Sequence, residues 1–172
     1  MSAALHTASF SGAMLARGFW PYVWEVVTED GQAVLYVGRT GDSSSPNAQS
    51  PFTRLSQHLG TNKHANALRR YLESHGIDPH SCKSFEMIAY GPILPEARSA
   101  QEHQRSRDKI AAMEKALCCD LAAEGYKVLN EVKCRMPLDH ELWKQVRTAF
   151  SGRFTASRDV QSESAVLPGA PL

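Results

Sequence analysis

Apolar residues along the chain fall into short runs and into longer periodic stretches. Runs rich in β-branched and aromatic residues predict β-strands at 22–27, 33–38 and 84–93. Stretches with apolar residues three or four positions apart predict helices at 51–59, 62–76, 95–124 and 138–150. A short extended segment, 126–132, lies between the last two helices. The pattern therefore predicts a protein of mixed α and β structure.

Residues that commonly begin or end helices lie at several of these boundaries. Pro51 lies at the start of the first predicted helix, where its missing N–H has no cost. Gly76 and Gly125 follow the second and third helices, and glycine favours the left-handed conformation that ends many helices. Asp139 precedes the last helix and is a suitable N-cap.

The first two strands predict a β-hairpin whose loop length decides which residues face each other. A two-residue Asp30–Gly31 turn would place Trp24 and Tyr36 on opposite faces of the hairpin. A three-residue loop, Glu29–Asp30–Gly31, with Gly31 in the left-handed region would place them directly opposite each other. We favour the three-residue loop, because Asp followed by Gly suits a type I turn closed by a glycine bulge.

The chain of 172 residues suits one domain with terminal extensions. We expect an N-terminal arm over 1–19, a main domain over 20–135 and a C-terminal helix over 136–152. From about residue 153 the chain is rich in Ser, Ala and Pro, so the segment 153–172 is expected to be disordered.

Composition limits the possible environments and partners. The formal net charge is +1, so any attraction to nucleic acid must come from a local surface. None of the four cysteines forms a CxxC pair, which favours reduced thiols over a zinc site or a disulfide framework. The opening residues lack the features of a signal peptide, and no apolar run approaches the length of a membrane span. We therefore expect a soluble cytoplasmic protein.

The predicted helix 51–59 carries two polar residues that share a face. Arg54 and His58 are four positions apart, while the apolar residues of this helix lie on another face. Basic residues also dominate the region from 51 to 74 and the strand end before it: Arg39, Arg54, Lys63, Arg69 and Arg70, against Glu73 alone. Such a surface suits a phosphodiester backbone. A solvated helix face without a ligand is the alternative.

Glu114 lies at the rim of the apolar stripe of the third predicted helix. At 100° per residue, the stripe formed by Ile110, Met113, Leu117 and Leu121 leaves Glu114 at its edge. A half-shielded carboxylate facing a groove, completed by waters and phosphate oxygens, is a normal magnesium arrangement. A salt-bridge partner is the alternative role for a glutamate at this position.

The order and spacing of these residues resemble the GIY-YIG nuclease domain over about residues 20–133. The second signature resembles Tyr36–Val37–Gly38, and the first falls on Tyr22–Val23–Trp24 across the hairpin. The helix arginine matches Arg54, its partner one turn later matches His58, the metal-binding glutamate matches Glu114 and the late asparagine matches Asn130. The resemblance implies a fold of the α+β class, with a three-stranded, largely antiparallel sheet flanked by helices.

The resemblance also implies a function: hydrolysis of phosphodiester bonds in DNA with one Mg²⁺ or Mn²⁺ ion. Arg54 would hold the scissile phosphate, Glu114 would bind the metal, Tyr36 would orient water or phosphate, and His58 would accept or relay a proton. The residues expected to contact substrate are Trp24, Gly38, Arg39, Lys63, Arg69, Arg70 and Asn130, with Asn130 more a brace than a reactant.

Trp24 departs from the family pattern, because it stands where the first tyrosine is usual. An indole has one donor and cannot accept a proton. Either Tyr36 and His58 share the task of that tyrosine, or Tyr22 replaces it from the same face of the strand. A further alternative is a non-catalytic nucleic-acid-binding domain. A protein-interaction module that uses residues 138–172 is a third possibility.

Overall fold

The computed structural model describes residues 3–43, 47–62 and 66–163, with side chains described up to residue 154. Its three strands are β1 (Pro21–Val27), β2 (Ala33–Arg39) and β3 (Ser84–Ala89). They form one sheet in the order β2-β1-β3, and both pairs are antiparallel. This confirms the predicted three-stranded antiparallel sheet and the α+β class.

The hairpin has the register that the three-residue loop predicts. Trp24 lies directly opposite Tyr36 in the β1–β2 pair. Gly31 has φ 86°, a left-handed conformation that glycine adopts without steric cost. The loop therefore places Trp24 and Tyr36 on one face of the sheet.

Helices cover both faces of the sheet. They are α1 (Pro51–Leu59), α2 (Ala67–Ser74), α3 (Ala100–Ala123) and α4 (His140–Glu163), preceded by a one-turn 3-10 helix (Gly12–Leu15). Strand side chains alternate between two buried clusters. Val23, Leu35 and Val37 pack in the cluster formed with α3 and α4. Tyr22, Trp24 and Tyr36 belong to the cluster formed with α2, against which Leu55 and Leu59 of α1 also pack.

Capping hydrogen bonds set the ends of the helices more closely than the apolar pattern does. The third helix begins at Ala100, later than the predicted position 95, because the Ser99 hydroxyl accepts a bond from the Glu102 N–H at 3.2 Å. Gly76 and Gly125 follow α2 and α3 with φ 72° and 92°, as predicted. The Asp139 carboxylate accepts a bond from the Leu142 N–H at 3.2 Å, which confirms the predicted N-cap of α4.

The C-terminal helix is longer than predicted. The pattern placed its end at residue 152 and a disordered tail from 153, but α4 continues to Glu163. Val146, Phe150 and Phe154 lie on one face of α4 at intervals of four and are buried against the α3 side of the sheet. Residues 164–172 lie outside the described residues. No helix in the described part of the chain has the length and apolar character needed to cross a membrane.

Candidate active site

A pocket of about 240 Å³ lies at the end of β2. Its lining comes from both strands of the hairpin, from the loop after β2 and from three helices: Tyr22, Tyr36, Gly38, Arg39, Asp42, Arg54, His58, Ala67, Arg70 and Glu114. The four residues predicted to be catalytic, Tyr36, Arg54, His58 and Glu114, are all in this list. Folding therefore brings side chains from β2, α1 and α3 to one pocket.

The predicted substrate contacts divide into two groups. Gly38, Arg39 and Arg70 line the pocket. Trp24, Arg69 and Asn130 are not among its lining residues. Lys63 lies outside the described residues.

His58 is held in a cage of aromatic rings. The ring centroids of Tyr22, Trp24 and Tyr36 lie 5.5, 6.1 and 5.2 Å from that of His58, each nearly edge-on. The imidazole is 3% exposed. This burial, reinforced by the positive charge of Arg54, lowers the pKa of His58 to about 4. The imidazole is therefore neutral at neutral pH.

Both ring nitrogens of His58 have hydrogen-bond partners. The Leu68 N–H donates to Nδ1 at 3.4 Å, so Nδ1 carries no proton in the neutral ring. Nε2 then carries the proton and donates it to the Tyr22 hydroxyl oxygen, 2.6 Å away. The Tyr22 hydroxyl accepts from His58, and its own proton is free to point toward the pocket. Burial raises the pKa of Tyr22 well above its usual value, so this hydroxyl stays protonated.

Gly38 makes room for Tyr22, which lies opposite it in the hairpin. A Cβ atom on Gly38 would lie 2.4 Å from the nearest atom of the Tyr22 ring and 2.7 Å from its hydroxyl oxygen. Such contacts are far shorter than any van der Waals separation. The glycine of the Tyr36–Val37–Gly38 signature therefore permits the close approach of a tyrosine ring from the neighbouring strand.

Trp24 lies beneath the pocket and is 2% exposed. Trp24 does not line this pocket, and its predicted contact with substrate stays a prediction. Its indole instead forms one wall of the His58 cage and faces a second cavity, where Leu55, Leu59 and the N-terminal segment lie. Tyr22, two residues earlier on the same face of β1, is the aromatic residue that reaches the pocket.

Glu114 faces the pocket from α3 and forms an ion pair with Arg39. The distance between Arg39 Nε and Glu114 Oε2 is 3.3 Å, and both side chains are less than one-fifth exposed, at 17% and 15%. Burial raises the pKa of Glu114 to about 7, although Arg39 and Arg54 oppose the shift. The carboxylate is therefore short of compensating positive charge.

Arg54 projects into the pocket from α1, where a second carboxylate meets it. Asp42 Oδ1 forms an ion pair with Arg54 Nη2, and Gln57 Oε1 accepts from Nη1 at 3.2 Å. Sequence reasoning missed Asp42, because a single aspartate in a polar loop carries no periodic signal. Its only sequence cue is the preceding Gly41, which permits a sharp turn after β2.

The donor set fits a divalent ion held by one protein carboxylate. Within the described residues, no group of three or more His, Cys, Asp or Glu side chains converges to bind a metal. A divalent ion in this pocket would be held by Glu114, as the sequence predicts, with waters and substrate phosphate oxygens completing the shell. Burial raises the pKa of Glu114, and a bound cation would lower it again by favouring the ionised carboxylate.

Asn130 braces the strand that carries Tyr36. Its side-chain amide donates to the Val37 carbonyl at 2.8 Å, and its carbonyl oxygen accepts from the Val37 N–H at 2.9 Å. The side chain thus pairs with the outer edge of β2, just beyond the backbone bonds between Leu35 and the 127–129 segment. The buried Asn130 side chain is thus a structural support for β2, the bracing role expected from the sequence, and its contact with substrate stays a prediction.

Arg69 points away from the pocket into a surface network. Its Nε donates to Glu73 at 2.9 Å, and a terminal nitrogen lies 3.3 Å from His80 Nε2. Its neighbour Arg70 is exposed and lines the pocket. The helix α2 therefore contributes one arginine to the pocket, not two.

Comparisons of the chain with family models, with curated proteins and with solved structures give no match. The resemblance to GIY-YIG nuclease domains therefore rests on the residues themselves, and a functional proposal rests on the geometry of the pocket.

Proposed function

We propose that this chain is a metal-dependent endonuclease that hydrolyses phosphodiester bonds in DNA within the cytoplasm. The observation that carries the proposal is the convergence of Tyr36, Arg54, His58 and Glu114 on one pocket. An arginine for the phosphate, a carboxylate for a divalent ion and hydroxyls for water are the groups that this hydrolysis requires.

The charges of the pocket support a phosphate ligand. Three arginines line it, Arg39, Arg54 and Arg70, against the two carboxylates of Asp42 and Glu114. A pocket with low-dielectric walls strengthens this excess of positive charge. A phosphodiester anion is therefore attracted locally, although the whole chain has a net charge of only +1.

Arg54 and Glu114 act on the phosphate in this proposal. Arg54 contacts the non-bridging oxygens and stabilises the charge that develops on them. Glu114 holds the divalent ion. When bound, such an ion neutralises charge on the phosphate and lowers the pKa of a water in its shell.

The tyrosine hydroxyls orient the reactants. Burial keeps Tyr22 and Tyr36 protonated, so each donates a hydrogen bond to water or to a phosphate oxygen. His58 holds the Tyr22 hydroxyl through Nε2–H. Because Leu68 occupies Nδ1, His58 is a support for Tyr22 and not the base that deprotonates water.

The test is a cleavage assay with supercoiled plasmid and with branched DNA, in Mg²⁺, in Mn²⁺ and in EDTA. The wild type is compared with Glu114→Ala and Arg54→Ala, each first shown to be folded by circular dichroism. We expect metal-dependent nicking that falls by about 10²- to 10³-fold in Arg54→Ala. We expect nicking to be lost in Glu114→Ala.

Two results would contradict the proposal. Equal nicking by wild type and Glu114→Ala would assign the activity to a contaminant or to another site. Salt-sensitive DNA binding without cleavage in either metal would indicate a non-catalytic nucleic-acid-binding domain.

A further inference from the structure

The guanidinium of Arg54 contacts two acceptors from different parts of the chain. Asp42 pairs with Nη2 from the loop after β2, and Gln57 accepts from Nη1 within α1. Among the described residues, no acceptor contacts the buried Nε of Arg54. One N–H on each terminal nitrogen is therefore engaged, and of the five donors of the guanidinium a second N–H remains on both Nη1 and Nη2.

The loop that carries Asp42 is anchored on both sides. On one side, Thr40 donates from its hydroxyl to the Gly18 carbonyl at 2.6 Å, and the same hydroxyl accepts from the Trp20 N–H at 2.9 Å. Thr40 is fully buried. The location of Asp42 in the fold is thus set by the residues just before β1, to which Thr40 is hydrogen-bonded.

Gly41 and His103 complete the anchoring. Gly41 has φ 74°, and a Cβ atom there would lie 2.3 Å from the Phe19 ring, so only glycine fits. On the other side of Asp42, the buried His103 donates from Nε2 to the Ser43 carbonyl at 2.9 Å. These contacts hold Asp42 against Arg54.

We propose that Asp42 is a positioning residue that, together with Gln57, holds the Arg54 guanidinium so that the remaining N–H groups of Nη1 and Nη2 donate to the scissile phosphate. This inference rests on the proposed function. A carboxylate that merely blocked Arg54 would have to leave when phosphate arrives, and the anchors on both sides of Asp42 oppose such movement. A fixed partner that orients the fork is consistent with that geometry.

The proposal separates turnover from binding. Asp42→Asn keeps the size of the side chain and removes its charge, so the pocket becomes more positive and its affinity for DNA should not fall. The charge-assisted pairing that orients Arg54 is weakened, however, because a neutral amide oxygen is a poorer acceptor than a carboxylate, and misplacement by about 1 Å can lower a rate by about 10²-fold. We expect kcat to fall by about 10- to 100-fold while Kd for DNA in EDTA changes by less than about 3-fold.

The first measurement compares cleavage and DNA binding for wild type, Asp42→Asn and Gln57→Ala. Asp120→Asn is the matched control, because Asp120 also pairs with an arginine, Arg147, at 3.2 Å but lies outside the pocket. We expect the control to retain wild-type kcat. Gln57→Ala removes the second acceptor of the Arg54 guanidinium, so it tests the same positioning role if Asp42→Asn does not fold. An increase in kcat in Asp42→Asn would identify a gate, and unchanged kcat would exclude a role; either overturns the proposal.

The second measurement does not depend on cleavage. In ¹⁵N-resolved NMR, a guanidinium held at two nitrogens rotates slowly and gives separate Nη signals. Arg54→Lys identifies the Arg54 resonances by their disappearance. We expect the separate Nη signals to merge in Asp42→Asn and to persist in Asp120→Asn. If the wild type does not cleave DNA, the proposed function fails and the spectrum alone tests the positioning of Arg54. Merged Nη signals in Asp42→Asn would support it, and separate signals would overturn it.

Discussion

His58 and Glu114 line the same pocket, and burial shifts their pKa values in opposite directions. The pKa of His58 falls from its ordinary 6.5 to about 4, and that of Glu114 rises from 4.5 to about 7. One pKa unit corresponds to about 1.4 kcal/mol, so each group alters the free energy of unfolding by about 3 kcal/mol over its range. We predict that these two effects oppose each other near pH 5 to 6.

The sign of each effect follows from which state binds the proton. Between pH 6.5 and 4, His58 is protonated in the unfolded chain but not in the folded protein, so the free energy of unfolding falls as the pH falls. Between pH 4.5 and 7, folded Glu114 keeps a proton that the unfolded chain has released, so rising pH removes stability. In the overlap, from 4.5 to 6.5, the two proton differences cancel.

Single substitutions should therefore reveal opposite slopes that the wild type hides. In His58→Gln the Glu114 effect remains alone, and stability should fall as pH rises from 4.5 to 7. In Glu114→Gln the His58 effect remains alone, and stability should fall as pH drops from 6.5 to 4. The double variant should show neither slope.

The assay is urea unfolding followed by tryptophan fluorescence at several pH values in EDTA. All other titrating groups are common to the four proteins, so the differences between profiles are what is measured, and a constant loss from a lost hydrogen bond leaves the slopes unaffected. Added Mg²⁺ should remove the alkaline loss in His58→Gln, because a bound cation favours the ionised Glu114. Four parallel profiles would refute the reasoning.

Three further predictions concern the supports of the pocket. Gly38→Ala should destabilise the fold by about 1 to 3 kcal/mol and abolish nicking, because its Cβ overlaps the Tyr22 ring; unfolding and nicking assays check both, and a variant with wild-type activity would contradict the packing. Tyr22→Phe should fold but lower kcat about 100-fold, whereas unchanged nicking would show that the hydroxyl is not used. Asn130→Ala should cost about 2 to 4 kcal/mol, because the buried N–H and carbonyl of Val37 lose their partners; a urea midpoint like that of wild type would disprove this bracing role.

Features set by neighbours in the chain were predictable from the sequence. The hairpin register followed from the turn chemistry of Asp30 and Gly31, because a left-handed glycine after a short type I turn fixes which residues pair. The end of α3 just before Gly125 and the cap of α4 at Asp139 followed in the same way, from one or two hydrogen bonds. The end of α4 could not be predicted in this way. Burial of Phe154 against α3 and the sheet extends the helix, and the composition of the segment does not indicate that burial.

The four residues predicted to be catalytic line one pocket, but the places of several other predicted residues, and the presence of Asp42, could not be predicted. Tyr22 and Trp24 lie on the same face of β1, so the alternation of the strand cannot say which of them reaches the pocket. The position of α1 along the sheet decides it: His58 Nε2 meets the Tyr22 hydroxyl, while Trp24 is covered. Asp42 reaches Arg54 through contacts with Gly18, Phe19 and His103, which are remote in sequence.

The sequence by itself thus determined the strands, the hairpin register and the kinds of side chain available for a phosphate site, because these depend on periodicity and local turns. Tertiary structure alone decided that Tyr22 and not Trp24 faces the pocket, that Asn130 supports β2, and that Asp42 grips Arg54. Those outcomes depend on how helices dock across a sheet. Packing and hydrogen bonds between distant segments set that docking, and neither leaves a period in the sequence.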